Sequence, residues 1–255
     1  MIELYHWEPN GACGRVLIAL KEKGLEFRSH YVDVLAFEQH TPAFLELNDS
    51  GEVPVLVDRG AAMNESSYIC EYLEETYPGV ALMPKDPRER WEARVWQKYV
   101  DDYVAASTCE LAWQALEANA FRKRDRAALD ESIARIPMKE RRDVWTAAVG
   151  GYGEEQLRRA RERLSETIIR MEADLDRSGW LAGTAYSIAD VALFAYISYL
   201  PRVAPDLVND KTVPAVMAWL RRVKERPGVK AALALSRRAE PFATAAPGPE
   251  QVRWG

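Results

Sequence analysis

The start of the chain alternates strand-like and helix-like patterns, and this order restricts the fold more than any other feature. Residues 2–6 alternate apolar and polar side chains before a Pro-Asn-Gly turn at 9–11, which is typical of a short strand and its turn. Apolar residues recur at helical spacing over 13–23, and Gly24 follows where a left-handed cap residue belongs. A second strand is predicted at 27–34. Two strands around one helix predict a βαβ unit with parallel strands and a right-handed crossover.

A second group of two strands and one helix follows directly. After a short helix at 41–47, residues 51–58 are typical of a strand. Pro54 belongs at the start or edge of this strand, because proline cannot donate a ladder hydrogen bond. Residues 60–63 complete a β-hairpin, and residues 64–77 form a helix that ends before a Pro-Gly pair. This order, βαβ and then ββα, resembles that of a thioredoxin-like glutathione-binding domain.

Helical patterns dominate the chain beyond a proline-containing linker. Ser187 and Asp190 form a capping box, since a hydroxyl and a carboxylate three residues apart satisfy the free amides of a first helical turn. Residues 121–153 are instead basic and irregular, and the tail after Pro241 is expected to be extended. The predicted helices cover 89–120, 154–178, 191–197 and 214–225, the last of them stopped by Arg-Pro-Gly at 226–228.

The composition excludes several classes of function. Of the 255 residues, 48% are hydrophobic and 29% charged, and the formal net charge of -5 leaves no broad basic surface for nucleic acid. The N-terminus lacks a secretory signal, and no apolar run approaches the roughly 20 residues of a membrane span, so we expect a cytoplasmic protein. The cysteines at 13, 70 and 109 and the histidines at 6, 30 and 40 are scattered. We therefore expect neither disulfides nor a metal site.

Several short motifs, in this order and spacing, resemble those of glutathione transferases over nearly the whole chain. They are Leu-Tyr and Pro-Asn-Gly-Ala-Cys near the start, Glu-Lys-Gly at 22–24, Gly-Glu-Val-Pro-Val-Leu at 51–56, Asn-Glu-Ser-Ser with Ile-Cys-Glu-Tyr-Leu at 64–73, and Ser-Ile-Ala-Asp at 187–190. The resemblance implies an α/β thioredoxin-like N-terminal domain, an all-α C-terminal domain and glutathione as cosubstrate. The expected boundaries are 1–80 for the first domain, 81–87 for the linker, 88–240 for the helical domain and 241–255 for the tail.

The expected glutathione site begins at Glu65 and Ser66, at a helix N-terminus. Exposed amides and the positive end of the helix dipole favour a carboxylate there. The resemblance implies that Glu65 counters the ammonium of the γ-glutamyl group and that Ser66 reaches its carboxylate. The residues alone also fit a simple helix cap at Ser66 or Asn64.

Two further segments are implied for the rest of glutathione. Val53 and Pro54 resemble the family's Val and cis-proline, where the Val backbone pairs with the cysteinyl peptide as an added strand. An ordinary trans proline at a strand entry is the alternative. Gln39 and His40 resemble residues that hold the glycine carboxylate in some classes, whereas Glu52 stands where the family often has Lys or Gln and leaves that charge pairing open. A solvated surface role is the alternative for His40.

The reaction needs a glutathione thiolate, although the free thiol is mostly protonated near neutral pH. The loop that leads into the first helix is the place for a donor beside the sulfur, because the helix dipole also helps the anion there. Cys13 is the nearest match to the Tyr, Ser or Cys of the different classes, with Asn10 and the loop amides as further donors. Alternatively, Cys13 forms a mixed disulfide with glutathione or is an inert apolar residue.

A narrower resemblance is to the bacterial β-etherases that cleave lignin-derived aromatic dimers. It implies that the thiolate displaces a phenol from the carbon that bears the aryl ether, next to a ketone, with inversion. We expect Tyr103, Trp113 and Tyr199 at the aromatic substrate, although an aromatic stripe at helical spacing is more often core. The segments that carry this resemblance are 37–41, 67–75, 94–103 and the insert around 134–140.

Other functions stay compatible with these residues. The chain could act on another electrophile or cleave a thioether as a glutathione lyase. It could also be a non-catalytic partner subunit of a heterodimeric etherase, because etherases commonly have Ser where Cys13 stands and because Glu52 departs from the family pattern. We expect a homodimer, or a heterodimer with a related chain, that binds a small aromatic molecule and neither nucleic acid nor a membrane.

Overall fold

A four-stranded mixed sheet forms the centre of the N-terminal domain in the computed structural model, which describes residues 1–248. Its strands are β1 (Ile2–His6), β2 (Phe27–Tyr31), β3 (Val55–Asp58) and β4 (Ala61–Met63). The strand order is β2-β1-β3-β4. Strands β1 and β2 are parallel, with Ile2 opposite Phe27, and β3 pairs antiparallel with both β1 and β4. The predicted βαβ unit and β-hairpin are therefore both present.

Three helices accompany this sheet: α1 (Gly11–Glu22), α2 (Pro42–Leu47) and α3 (Ser66–Thr76). Helix α1 lies at the centre of the molecule, because Val16, Leu17 and Leu20 are all fully buried. It packs against α3 on one side and against helices of the C-terminal domain on the other. The N-terminus of α1 is thereby held at the junction of the two domains.

The C-terminal domain is helical, as predicted. A π-helical turn, Val100–Val104, joins its first two helices, and no helix of the described residues is long and apolar enough to cross a membrane. The helices are α4 (Pro87–Tyr99), α5 (Ala105–Leu116), α6 (Ala118–Phe121), α7 (Arg126–Ala134), α8 (Lys139–Gly150), α9 (Glu154–Ser178), α10 (Ile188–Ile197), α11 (Leu200–Val203), α12 (Pro214–Lys224) and α13 (Pro227–Leu233).

Helix α10 forms the core of this domain, with every one of its residues buried. Its predicted capping box is present. The Ser187 hydroxyl accepts from the Ala189 amide at 3.3 Å, and the Asp190 carboxylate accepts from the Ser187 amide at 2.9 Å. The indole of Trp219 donates to the other Asp190 oxygen at 2.8 Å, so the cap also ties α10 to α12.

The prediction of an irregular segment at 121–153 is wrong, because most of these residues form α7 and α8. Leu129 and Ile133 bury one face of α7, while Trp145 and Ala148 bury one face of α8. The charged residues on the exposed faces and the Ile-Pro pair between the helices obscure this spacing in the sequence. The segment is a packed helical hairpin against α5 and α6.

One helix boundary also differs from prediction, because the helix expected over 89–120 is interrupted by the π-helical turn. Helix α12 ends at Lys224, just before Arg-Pro-Gly at 226–228 as predicted, and the same residues begin the additional helix α13 at Pro227. Proline suits the first position of a helix, where its missing N–H has no helical partner to lose.

The C-terminal segment, residues 241–248, folds back across the molecule without regular secondary structure. The Asn10 side-chain amide donates to the carbonyls of Pro241 at 2.8 Å and Thr244 at 3.3 Å. The Thr244 hydroxyl donates to Glu117 at 2.6 Å, and Phe242 packs edge-on to Tyr199. The segment is therefore fixed to both domains. The remainder of the predicted tail, 249–255, lies outside the described residues.

Candidate active site

A cavity of about 310 Å³ lies between the two domains. The N-terminal domain contributes the loop before α1, the segment before β3 and the N-terminus of α3. The helical domain contributes the π-helical turn, α5, α8, the end of α10 and the C-terminal segment. The cavity therefore joins most of the segments that the sequence singles out.

The N-terminus of α3 presents Glu65 and Ser66 to this cavity. Glu65 has a φ of 64°, a left-handed conformation that is uncommon outside glycine. Such backbone strain clusters at binding sites, where the surrounding structure holds it in place. Asn64 lines the cavity as well, and its amide donates to the Asn48 side-chain oxygen at 3.3 Å. The pair at 65–66 thus lies where the positive end of the helix faces the cavity.

Val53 and Pro54 line the cavity beside this helix. The peptide bond between them is cis, which is the geometry that the resemblance implies rather than the trans alternative. Val53 precedes β3 and is paired with no strand of the described residues. Its backbone is therefore available for an added extended peptide.

Gln39 and His40 differ in their relation to the cavity. Gln39 is buried and lines it. His40 is only 3% exposed and packs against Gly51 and the ring of Phe37, so the solvated surface role is wrong. Burial, reinforced by Arg141 and Arg135, lowers the pKa of His40 to about 4. A neutral imidazole is therefore expected there at physiological pH.

Arg141 of α8 is a cavity residue that the sequence reasoning missed. Its side chain is 10% exposed, with Nε 3.6 Å from the Glu52 carboxylate. Its Nη1 donates to the carbonyl of Gly248 at 2.7 Å. Arg141 therefore brings a positive charge to the position where Glu52 departs from the family pattern. The sequence pattern that points to Arg141 is its spacing with Trp145 and Ala148, since the three residues repeat at helical intervals on the buried face of α8.

Cys13 lies in the first turn of α1, lines the cavity and is nearly fully buried. The amide of Trp7 donates to its sulfur at 3.3 Å, which favours the thiolate, but burial outweighs this contact and raises the pKa of Cys13 to about 12. At neutral pH the group is a protonated thiol. Such a thiol can donate a hydrogen bond but is a poor nucleophile.

Asn10 also lines the cavity, at the residue before α1. Its amide hydrogens are directed to the carbonyls of Pro241 and Thr244. Asn10 therefore positions the C-terminal segment, and these contacts compete with the thiolate donor role that the sequence suggested.

An ion pair between a buried arginine and a partly exposed aspartate lies beside the cavity. The guanidinium of Arg15 in α1 is completely buried and lies 2.9 Å from the carboxylate of Asp101. Asp101 belongs to the π-helical turn and lines the cavity. Single π-helical turns of this kind are frequent at functional sites, because they redirect side chains along a helix.

The three aromatic residues expected at the substrate are distributed differently. Tyr199 lines the cavity. Trp113 is fully buried in the helical core, where its indole donates to the Ala148 carbonyl at 2.8 Å. Tyr103 is 48% exposed and stacks on Tyr99 at 5.3 Å. Neither lies among the cavity walls, because Trp113 joins α5 to α8 and Tyr103 faces outward.

Three other features of the cavity were not selected from the sequence. Tyr196, Cys109 and residues 246–248 all contribute to its walls. Cys109 and Tyr196 lie on helices whose apolar composition gave no reason to separate them from the core. Among the described residues, no three His, Cys, Asp or Glu side chains are grouped as a metal site would require.

Comparison with known proteins agrees with this architecture. Residues 12–76 match the family model described as "Glutathione S-transferase, N-terminal domain", and residues 126–227 match "Glutathione S-transferase, C-terminal domain". Glutathione S-transferase F14 of Arabidopsis thaliana is 31% identical over 83% of this chain and 74% of its own length.

A bacterial relative is similar over a larger share of the chain. Protein LigF of Sphingobium sp. (strain NBRC 103272 / SYK-6) is 34% identical over 94% of this chain and 95% of its own length. The crystal structure of beta-etherase LigF from Sphingobium sp. strain SYK-6 superposes with a TM-score of 0.88, covering 92% of this chain and 99% of LigF. Two family domains in order and a relative this similar along the chain show that the protein belongs to the glutathione S-transferase superfamily of enzymes, with glutathione as cosubstrate.

Proposed function

We propose that this glutathione transferase cleaves β-aryl ether bonds in lignin-derived aromatic dimers. The observation that carries the proposal is the likeness to LigF, a beta-etherase, which extends over both domains at a TM-score of 0.88. The interdomain cavity supports it, since the N-terminal domain contributes the residues expected to bind glutathione and the helical domain contributes Tyr196 and Tyr199. The reaction would take place in the cytoplasm.

Glutathione binding begins at α3 in this proposal. The Glu65 carboxylate counters the γ-glutamyl ammonium, and the Ser66 hydroxyl donates to the γ-glutamyl carboxylate beside the helix N-terminus. The backbone of Val53 pairs with the cysteinyl peptide. These assignments are supported by the common exposure of the three residues to one cavity.

The glycine end of glutathione lies between Gln39 and Arg141. A neutral His40 is a poor partner for a carboxylate, whereas Arg141 presents a guanidinium with several N–H donors. Glu52 holds Arg141 from one side. We infer that the helical domain supplies at this end the charge that other family members take from the position of Glu52.

The sulfur of glutathione lies near Cys13 and the N-terminus of α1. The protonated Cys13 thiol donates to the thiolate, and the dipole of α1 favours the anion. This assignment requires no mixed disulfide, because a thiol with a pKa of about 12 is rarely ionised at neutral pH.

The chemical step is a displacement at the carbon next to the ketone. The thiolate forms the carbon–sulfur bond as the carbon–oxygen bond breaks, and the departing electron pair leaves on the phenol oxygen. The adjacent carbonyl activates the carbon, so the protein has to stabilise the thiolate, align it for backside attack and exclude one enantiomer. The products are a glutathione thioether and a phenol such as guaiacol.

The experiment incubates purified protein and glutathione with each enantiomer of a β-guaiacyl aryl ketone dimer and follows guaiacol by chromatography. Release from one enantiomer, dependent on glutathione, is expected. No release from either enantiomer, with glutathione binding intact in calorimetry, would contradict the proposal. Turnover of a thioether or an aryl halide by the same sample would then identify a lyase or another transferase.

A second candidate is a non-catalytic partner subunit of a heterodimeric etherase. The observation that favours it is the buried Cys13, whose thiol is a weaker hydrogen-bond donor than the hydroxyl that etherases commonly have there. Glutathione bound without the ultraviolet absorbance of a thiolate would support this candidate over the enzyme.

We further propose that the chain forms a dimer, either with itself or with a related chain. Tyr68 on α3 and Trp91 on α4 are large apolar side chains that are 72% and 62% exposed. A hydrogen bond of 3.2 Å from Arg94 of α4 to Glu71 of α3 joins the same two helices, so Tyr68 and Trp91 lie on neighbouring elements. Light scattering of the purified chain checks the homodimer, and Trp91→Glu is expected to dissociate it.

A further inference from the structure

Two tyrosines at the end of α10 have no assigned role in glutathione binding. Tyr196 and Tyr199 are only 4% and 3% exposed, and both line the cavity together with Cys13 and Cys109. Neither hydroxyl hydrogen-bonds to any residue of the described part of the chain. Both residues are buried, but neither hydroxyl is among the fully enclosed polar atoms that lack a partner. Both hydroxyls therefore open onto the cavity and can donate to a molecule bound there.

The rings of both tyrosines are held in place by their neighbours. The ring of Tyr196 faces the backbone of Gly11, where a Cβ atom would lie 3.7 Å from it, and the Arg15 guanidinium lies 5.8 Å from its centroid. The ring of Tyr199 packs edge-on to Phe242 at 5.5 Å. Tyr196 is therefore on the side of the thiol loop, and Tyr199 on the side of the C-terminal segment.

The displacement creates negative charge on two oxygen atoms of the substrate. The ketone oxygen gains charge because the carbonyl conjugates with the reacting carbon, and the phenol oxygen receives the electron pair of the broken bond. In an in-line displacement the leaving oxygen lies opposite the sulfur, whereas the ketone oxygen lies beside the reacting carbon. Two donors on one wall, one nearer the sulfur than the other, match this arrangement.

We propose that Tyr196 donates a hydrogen bond to the ketone oxygen of the aryl ether and that Tyr199 donates to the departing phenol oxygen. This assignment rests on the etherase function proposed above. Each tyrosine keeps its proton, because burial raises the pKa of both hydroxyls above that of the phenol product. The phenolate takes its proton from water, which balances the proton that glutathione lost on forming the thiolate.

The test compares wild type with Tyr199→Phe on a series of β-aryl ethers whose leaving phenols differ in acidity, from guaiacol to 4-nitrophenol. A donor to the leaving oxygen matters most for the poorest leaving group. We expect kcat/KM to fall about 10- to 100-fold for the guaiacyl ether and less than about threefold for the nitrophenyl ether. Tyr196→Phe should lower kcat/KM for the guaiacyl ether and for the nitrophenyl ether by a similar factor.

Tyr5→Phe is the matched control, because Tyr5 packs against His30 and Phe44 on the sheet and lies outside the cavity. It should leave every rate unchanged. Calorimetric glutathione affinity and circular dichroism check that the variants fold. Equal losses for all leaving groups in Tyr199→Phe would overturn the assignment while leaving the etherase function intact. A wild-type enzyme that cleaves none of the ethers would overturn both.

Discussion

The two roles considered for Cys13 predict opposite behaviour toward thiol reagents. A nucleophile that forms a mixed disulfide must ionise, whereas a donor to the glutathione thiolate must stay protonated. Burial raises the pKa of Cys13 from 9.0 to about 12 despite the amide of Trp7 at its sulfur. The thiolate share at pH 8 therefore falls from about one in ten to about one in 10⁴.

The expected consequence is slow labelling of the native protein. Because only the thiolate reacts, alkylation of Cys13 by iodoacetamide at pH 8 should be about 1000-fold slower than in the denatured chain. Cys70 and Cys109 have pKa values raised to about 12 for the same reason and should also react slowly. Peptide mass spectrometry over time measures the three rates separately, and each rate should rise tenfold per pH step between 8 and 11.

Rapid, selective labelling of Cys13 at pH 8 would refute this reasoning. It would show either that the thiol ionises readily or that the loop opens to solvent. A Cys13→Ser variant then separates the two roles, since a serine hydroxyl can still donate to a thiolate but cannot form a disulfide. Retained etherase turnover in this variant is the result expected from the donor role.

Ser66→Ala should weaken glutathione binding by about 1.5–3 kcal/mol, since it removes a hydrogen bond to a carboxylate; unchanged affinity in calorimetry would remove the assigned role. Arg141→Met should raise the KM for glutathione about tenfold or more, whereas Arg135→Met, an exposed residue paired with Glu131, should not. The folded protein lowers the pKa of His40 from 6.5 to about 4, so between these pH values the imidazole is protonated in the unfolded chain and neutral in the folded one. The folded state is therefore favoured most above pH 6.5 and loses stability as the pH falls toward 4. The unfolding free energy should therefore decrease by about 3 kcal/mol over that range, and less in His40→Gln.

The N-terminal domain could be predicted from the sequence almost element by element. Its strands are short and separated by glycine or proline, and the pairing of β1 with β2 follows from the length of α1 between them. The residues expected to bind glutathione, at 53–54 and 65–66, were selected because they lie in contiguous motifs at element ends, and the structure places them around one cavity. Such positions are specified locally, so the sequence around them is informative.

The aromatic side of the cavity could not be predicted in the same way. Trp113 and Tyr199 both occur in apolar stretches, and only tertiary packing sends one to the core and the other to the cavity. Arg141 reaches the site from a segment that is distant in sequence and whose helical period is obscured by charged residues. Contacts of this kind depend on how helices pack and not on local pattern.

The C-terminal segment adds to the cavity a wall that lies outside the matched family domains. The match to the family's C-terminal domain ends at residue 227, yet residues 246–248 form part of the cavity wall. Gly248 passes so close to α5 that an added Cβ would lie 2.8 Å from the Cβ of Cys109. Substitutions in this stretch would therefore reshape the cavity wall and leave in place the helices that the family model matches. A family assignment made from residues 126–227 consequently carries no information about this part of the wall.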